Sequence, residues 1–295
     1  MIPAQFSYAV ATTVEEAVRL LGSTPGARAL AGGQNLVPLM KRRAATPSLL
    51  VDINRIPDLA YIKDLDGVLC IGAMTRDAAL ESSVLLKSRC LVVAETAASL
   101  GDALVRGVST IGGNIAAGEG TSDHAATLLV LGADLVLHGP NGRHTVPIAS
   151  FFVNDGMPRR RDDELIVEIR IRMPRVGSGA AFEKLARRTG DSATVAVAAA
   201  LSLNDLVVAS AGIGLAGVAP IPLRATEAEQ FLIGKRADQA TIGEAARLAT
   251  RAAAPGSDVR ASAEYREDMV RVLTERALFR AANRASGSVA QGEAE

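Results

Sequence analysis

Two short segments constrain this chain more than any other: Ala31-Gly32-Gly33-Gln34-Asn35-Leu36 and Thr110-Ile111-Gly112-Gly113-Asn114, each placing a glycine pair ahead of amide side chains. The first follows a small apolar run, Ala27 to Leu30, and leads into Val37-Pro38-Leu39-Met40-Lys41-Arg42, so it belongs where a strand hands over to a helix. Adjacent glycines permit positive φ angles and close backbone approach, which leaves N–H groups free to converge on an anion. The start of a helix adds its own partial positive charge. The two segments are therefore read as one phosphate site, with Gln34, Asn35, Thr110 and Asn114 adding side-chain hydrogen bonds.

Other readings of the chain are narrowed by what it contains. With 295 residues it can build two or three compact units, and 32 basic against 32 acidic residues leave no net charge. That balance argues against broad attraction to nucleic acid or to an anionic membrane. The start, Met1-Ile2-Pro3-Ala4-Gln5-Phe6, lacks the basic region and apolar core of a secretory signal, and no charge-free apolar stretch reaches a spanning length. A cytoplasmic protein without a transmembrane segment is expected. Cys70 and Cys90 both lie in apolar surroundings and read as buried thiols. Two cysteines cannot ligate an iron–sulfur cluster alone, since such clusters normally take four thiolates. His124, His138 and His144 show no metal-ligand spacing, and the absence of Trp removes the stacking platforms of a single-strand nucleic-acid binder.

Taken in order, Thr12 or Thr13 caps a helix over Val14 to Leu21 with Glu15 and Glu16 in its first turn. A strand, the first glycine segment and a second strand at Leu49 to Ile53 make a small α/β lobe over residues 1–57. A second lobe, 58–175, opens with a hairpin of Tyr61 to Lys63 and Val68 to Ile71. It continues with a helix capped by Thr75, a buried helix from Leu91 to Leu100 and the second glycine segment. An apolar helix from Ala125 to Leu131, strands at Asp134 to His138 and Arg143 to Val146, and a half-buried strand at Leu165 to Met173 complete it. Residues 176–285 form a third unit: strand-like runs at Ala180 to Ala186, Thr194 to Leu203 and Leu206 to Leu215 make a three-stranded antiparallel sheet. Helices follow at Thr226 to Ile233, Thr241 to Ala253 and Ala261 to about Arg284. Residues 286–295 read as a frayed, flexible tail.

The two glycine segments, taken with Leu39-Met40-Lys41 and Ser122-Asp123, resemble the two flavin motifs of the FAD-binding medium subunit of molybdenum hydroxylases, the carbon monoxide dehydrogenase and xanthine dehydrogenase family. The resemblance continues through Asp163 to Ile166, Lys184 to Asp191 and Arg260 to Arg266, and so covers essentially the whole chain. It implies an α+β fold of the type seen in vanillyl-alcohol oxidase and its relatives: two α/β lobes that bind FAD without a covalent bond, then a C-terminal α+β domain. By position it implies cofactor contacts from Ala31, Gly32, Gly33, Gln34, Asn35, Leu36, Thr110, Ile111, Gly112, Gly113 and Asn114. It adds Asp123 as the acid that hydrogen-bonds the cofactor, with Ile166 and Lys184 beside the isoalloxazine ring and Asp191 near its edge. Two departures stand out: Gln34-Asn35 replaces the His-Ser type of pair, and Ser192 replaces a bulkier residue after Gly190-Asp191.

Several of these residues also have plain structural readings. Asp123 can cap the helix from Ala125, with Ser122 as the rival cap. Lys184 can be a solvated charge in an alternating strand, and Ile166 simple core. Arg42-Arg43 and Arg159-Arg160-Arg161 read as solvated, or as a basic surface for an acidic partner. No acid–base pair marks a catalytic centre, and His124 is not expected to anchor a flavin covalently. The resemblance then implies an electron-transfer subunit. Its partners would be an iron–sulfur small subunit and a molybdenum-binding large subunit, in a dimer of heterotrimers. Those chains would carry the clusters and the molybdenum cofactor and select the organic substrate; the external electron acceptor stays open. A stand-alone flavin oxidoreductase of the same superfamily is the alternative.

Overall fold

The computed structural model describes residues 2–152 and 161–292, so Arg159 and Arg160 of the basic run lie outside the described residues. Lobe 1 consists of β1 (Ser7–Val10), α1 (Val14–Ser23), β2 (Arg28–Leu30), α2 (Leu36–Lys41) and β3 (Leu49–Asp52). Thr13 caps α1 by accepting from the Glu16 N–H at 3.1 Å, and Glu16 reaches back to the Thr12 N–H at 2.8 Å. Val14, Ala17, Val18 and Leu21 then bury one stripe of the helix against the sheet. The sheet is parallel, in the order β1-β3-β2. The opening stretch therefore contributes a strand of its own. Its pattern is hard to read because β1 is an edge, with Ser7 and Tyr8 exposed.

Lobe 2 begins with the hairpin β4 (Ile62–Leu65) and β5 (Val68–Gly72). The helices α3 (Asp77–Ser82), α4 (Val84–Arg89), α5 (Leu91–Ala98), α6 (Ala103–Val108), α7 (Ile111–Ala116) and α8 (Asp123–Val130) follow. The strands β6 (Asp134–Gly139) and β7 (Gly142–Pro147), the short α9 (Ile148–Phe151) and β8 (Leu165–Arg172) close an antiparallel sheet in the order β4-β5-β8-β6-β7. Helix α3 starts later than Thr75, whose hydroxyl instead donates to Tyr61 O at 2.9 Å and accepts from the Tyr61 N–H at 3.1 Å. The first half of β8 is buried on both faces: Leu165 and Val167 join the core of lobe 1, while Ile166 joins that of lobe 2. This shared strand is what docks the lobes together.

The third unit has β9 (Ser178–Leu185), β10 (Val195–Asn204), β11 (Val207–Ala216) and a short β12 (Leu223–Arg224). The antiparallel sheet has the order β12-β11-β10-β9, so it gains a fourth strand that two residues are too few to signal in a sequence. Helices α10 (Thr226–Leu232), α11 (Gln239–Ala249) and α12 (Ala263–Gly292) complete it. On β10, Ala196 and Ala198 face the core of lobe 2, while Val195, Val197, Ala199 and Leu201 face the core beneath the C-terminal helices. Helix α12 passes Arg284 and runs to Gly292, so most of the expected tail is helical. Its buried Val270, Leu273, Ala277, Leu278, Ala281 and Ala285 keep helical spacing and anchor it as far as position 285. Among the described residues no helix is long and apolar enough to cross a membrane.

Candidate functional site

The first glycine segment lies between β2 and α2, as the sequence predicts. Gly33 has φ 69°, a region open to glycine and strained for other residues. Among the described residues, the N–H groups of Gly32, Gly33, Gln34 and Asn35 donate to no acceptor. Helix α2 is six residues long, and Asn35 makes no side-chain cap. The positive potential here thus comes from the unpaired N–H groups themselves more than from a long helix dipole.

The second segment differs from the first. It is the first turn of α7, and its N–H groups are occupied: Ile111 donates to Thr75 O at 3.2 Å, Gly112 to Ala73 O at 2.9 Å, Gly113 to Thr110 Oγ1 at 3.2 Å and Asn114 to Thr110 O at 3.0 Å. The cause is local, because Thr110 caps its own helix while the 73–75 connection takes the two N–H groups ahead of it. What this segment can still offer is the Thr110 hydroxyl proton and the Asn114 amide. The Ser122 hydroxyl donates to Asn114 Oδ1 at 2.5 Å and so fixes which end of the amide is left over.

The first segment abuts the residues that lead into the second. A Cβ placed on Gly32 would lie 2.2 Å from Val108 O and 2.8 Å from Ser109 Cα, so the chains can meet only because position 32 has no side chain. A Cβ on Gly113 would lie 3.6 Å from Ala31 Cβ. The juncture is tied by two residues that carry no motif and that sequence reading missed. Arg76 donates to Val108 O and to Asn54 Oδ1, and Asn54 Nδ2 donates to Ala31 O at 3.0 Å. Only their position beside the ends of β3 and β5 could have pointed to them.

Asp123 opens α8, but Ser122 is the cap, accepting from the Ala125 N–H at 3.3 Å. The Asp123 carboxylate is freed for Lys184, whose Nζ sits 2.6 Å from Asp123 Oδ2 and 3.2 Å from Ser99 O. With its side chain 8% exposed, Lys184 is far from a solvated strand charge. Burial pushes the Asp123 carboxyl above the usual range, against the pull of Lys184. Asp123 Oδ1 is buried and has no partner among the described residues. His124 is fully buried, with Nε2 2.8 Å from Asp77 Oδ1; the other Asp77 oxygen accepts from the Ser109 hydroxyl. Ile166 lies in the lobe 2 core, and Ile111 and Gly112 are buried within the second segment itself. Gln34 is exposed, Asn35 and Leu36 are half-buried, and Asp191 faces Arg187 at 3.6 Å.

Among the described residues, four N–H groups without acceptors, a spare hydroxyl proton, a spare amide and an unsatisfied buried carboxylate oxygen thus gather where lobe 1, lobe 2 and the third unit meet. Such a donor set suits an anionic dinucleotide with a polar head. Residues 4–174 match the FAD binding domain in molybdopterin dehydrogenase, and residues 180–281 match the CO dehydrogenase flavoprotein C-terminal domain. The chain belongs to the FAD-binding medium subunits of the carbon monoxide and xanthine dehydrogenase family of molybdenum hydroxylases, and is an oxidoreductase component. It is 40% identical over 279 residues to the carbon monoxide dehydrogenase medium chain of Hydrogenophaga pseudoflava, covering 94% of this chain and 97% of that one. The alpha subunit of the 6-hydroxypseudooxynicotine dehydrogenase complex of Paenarthrobacter nicotinovorans is 37% identical over 287 residues, covering 97% of each chain. A solved structure of the H. pseudoflava carbon monoxide dehydrogenase superposes with a TM-score of 0.93 at 41% identity, over 96% of this chain and 99% of that one.

Proposed function

We propose that this chain is the electron-transfer flavoprotein of a three-subunit molybdenum hydroxylase, working in the cytoplasm as part of a dimer of heterotrimers. An iron–sulfur small subunit would deliver electrons to it, a molybdenum-binding large subunit would oxidise the organic substrate, and an external acceptor would take the electrons onward. FAD suits this place because, once bound, it accepts electrons singly and releases them singly or in pairs. The two cysteines of the sequence are too few to ligate an iron–sulfur cluster, which supports the assignment of clusters to partner chains.

The observation that carries the reading is the pairing of unlike halves at one juncture. In this reading Gly32, Gly33, Gln34 and Asn35 direct backbone N–H groups at the pyrophosphate, with Ala31 and Leu36 framing them. Thr110 and Asn114 contribute the hydroxyl and the amide from the facing side, over the support of Ile111, Gly112 and Gly113. Asp123, neutralised in part by Lys184, offers its second oxygen to the flavin head, and Ile166 supports the ring from the core. The relatives named above oxidise different compounds, so the substrate would be set on the large subunit.

Purification of the chain alone and with its neighbours in the complex tests the proposal. The isolated chain is expected to be yellow, to release FAD on denaturation and to leave organic substrates untouched, while the native complex brings iron, sulfide and molybdenum with it. Substrate turnover by the isolated chain would sink the subunit reading in favour of a stand-alone flavin oxidoreductase.

A further inference from the structure

Arg76 lies on the connection between β5 and α3, where its backbone forms an isolated bridge with Thr110. Its side chain leaves lobe 2 and reaches lobe 1. The guanidinium donates to Val108 O, the carbonyl that abuts Gly32, and to Asn54 Oδ1 at 2.5 Å. Asn54 is in turn held rigidly. Its N–H and Nδ2 donate to Asp52 Oδ1 at 2.8 and 2.6 Å, and Nδ2 also reaches Ala31 O at 3.0 Å and Leu30 O at 3.4 Å. The Tyr8 hydroxyl donates to the other Asp52 oxygen. An unbroken polar chain, Tyr8, Asp52, Asn54, Arg76, Val108, therefore runs from the outer strand of lobe 1 to the end of α6, just ahead of the second glycine segment.

This chain and the Gly32 contact act in opposite senses. The contact of position 32 with Val108 O leaves no slack and sets the smallest separation of the segments. The guanidinium, a planar fork with both acceptors in its grip, sets the largest. Neither is needed to dock the lobes, since Leu165, Val167 and Val136 already share a core with Val51 and Ile53. What the pair fixes is a distance at the cofactor site.

We infer that Arg76 and Asn54 form a tether that sets the spacing of the two glycine segments, and so the affinity of the chain for FAD, as positioning residues rather than cofactor contacts. The inference rests on the FAD reading above. A ligand gripped from both sides gains affinity when the gap is fixed beforehand, because ordering costs are already met in the free protein.

A double-mutant cycle on FAD affinity tests the tether, with flavin stripped from the full-length chain and FAD returned by titration while its fluorescence is followed. Arg76→Ala and Asn54→Ala are each expected to weaken FAD binding about tenfold or more. The double variant should fall within about threefold of the worse single, because one tether can be cut only once. Multiplying losses, or single variants that bind FAD as the unaltered chain does, would overturn the tether. A general loss of stability would give independent effects and a lowered melting temperature of the flavin-free chain, without this non-additivity. Should Arg76→Ala not fold, Arg76→Lys serves: one ammonium cannot span both acceptors, so weaker binding is expected and unchanged affinity overturns the inference. If the unaltered flavin-free chain takes up no FAD, the cofactor reading itself fails, which separates the two outcomes.

Discussion

Lys184 Nζ stands 2.6 Å from Asp123 Oδ2, in an ion pair that joins α8 of lobe 2 to β9 of the third unit with both side chains nearly sealed from water. The charges were removed from solvent together, so removing one leaves the other stranded. Lys184→Met is expected to cost about 3–5 kcal/mol of unfolding free energy at neutral pH. Urea denaturation of the flavin-free chain measures it, and adding Asp123→Asn should recover much of the loss. A loss no greater for Lys184→Met than for the double variant would contradict a buried pair.

The same carboxyl predicts a pH dependence. Burial raises the Asp123 pKa above its ordinary 3.8, so over the interval between the two values the folded chain holds a proton that the unfolded chain has released. Stability contributed by this group is therefore present at low pH and declines as pH rises through the interval. Melting temperatures of the flavin-free chain, taken relative to Asp123→Asn from pH 4 to pH 8, should show the wild-type advantage shrinking upward. A growing advantage would mean that Lys184 outweighs burial.

Gly32→Ala places a methyl group 2.2 Å from Val108 O, a separation no contact tolerates, so the segments must part. The variant is expected to purify flavin-poor with a lowered melting temperature. Gly33→Ala meets looser neighbours, at 3.1 and 3.3 Å, but carries φ 69° and should cost about 1–2 kcal/mol through backbone strain. Absorbance at flavin wavelengths per mole of chain separates the two, with the larger deficit expected for Gly32→Ala.

Ser122 performs two tasks, accepting from the Ala125 N–H and donating to Asn114 Oδ1. Ser122→Ala should cost about 1 kcal/mol from the lost cap and should also weaken FAD binding, since the Asn114 amide is then free to turn. Ser122→Asp keeps a cap acceptor but cannot donate to Asn114, and is expected to restore stability while leaving affinity low. Full recovery of both would show that the Asn114 contact is idle.

Which parts of this could be read in advance follows from the range over which each signal acts. The strand-to-helix placement of Gly32-Gly33 and the helix over Val14 to Leu21 are local, and the sequence carries them in full. The N–H groups of Ile111 and Gly112 are consumed by Ala73 and Thr75, partners some forty residues away in the chain, so a glycine pair that looks open is closed by tertiary pairing. The choice of Ser122 over Asp123 as cap was undecidable locally, because it depends on Lys184 claiming the carboxylate. Arg76 and Asn54 belong to no motif, and their meeting requires both lobes to be docked. Strand β1 and strand β12 were missed for a simpler reason: an exposed edge and a two-residue pairing leave almost no periodicity to detect.

The division of labour between the glycine segments also orders events in time. One segment brings bare backbone N–H groups and the other brings side chains, and each belongs to its own lobe. A ligand that needs both can be captured only after both lobes have formed and docked. Yellow colour in a newly made chain would thus report finished assembly, and a shortage of flavin would hold the chain at a late, colourless stage of its maturation.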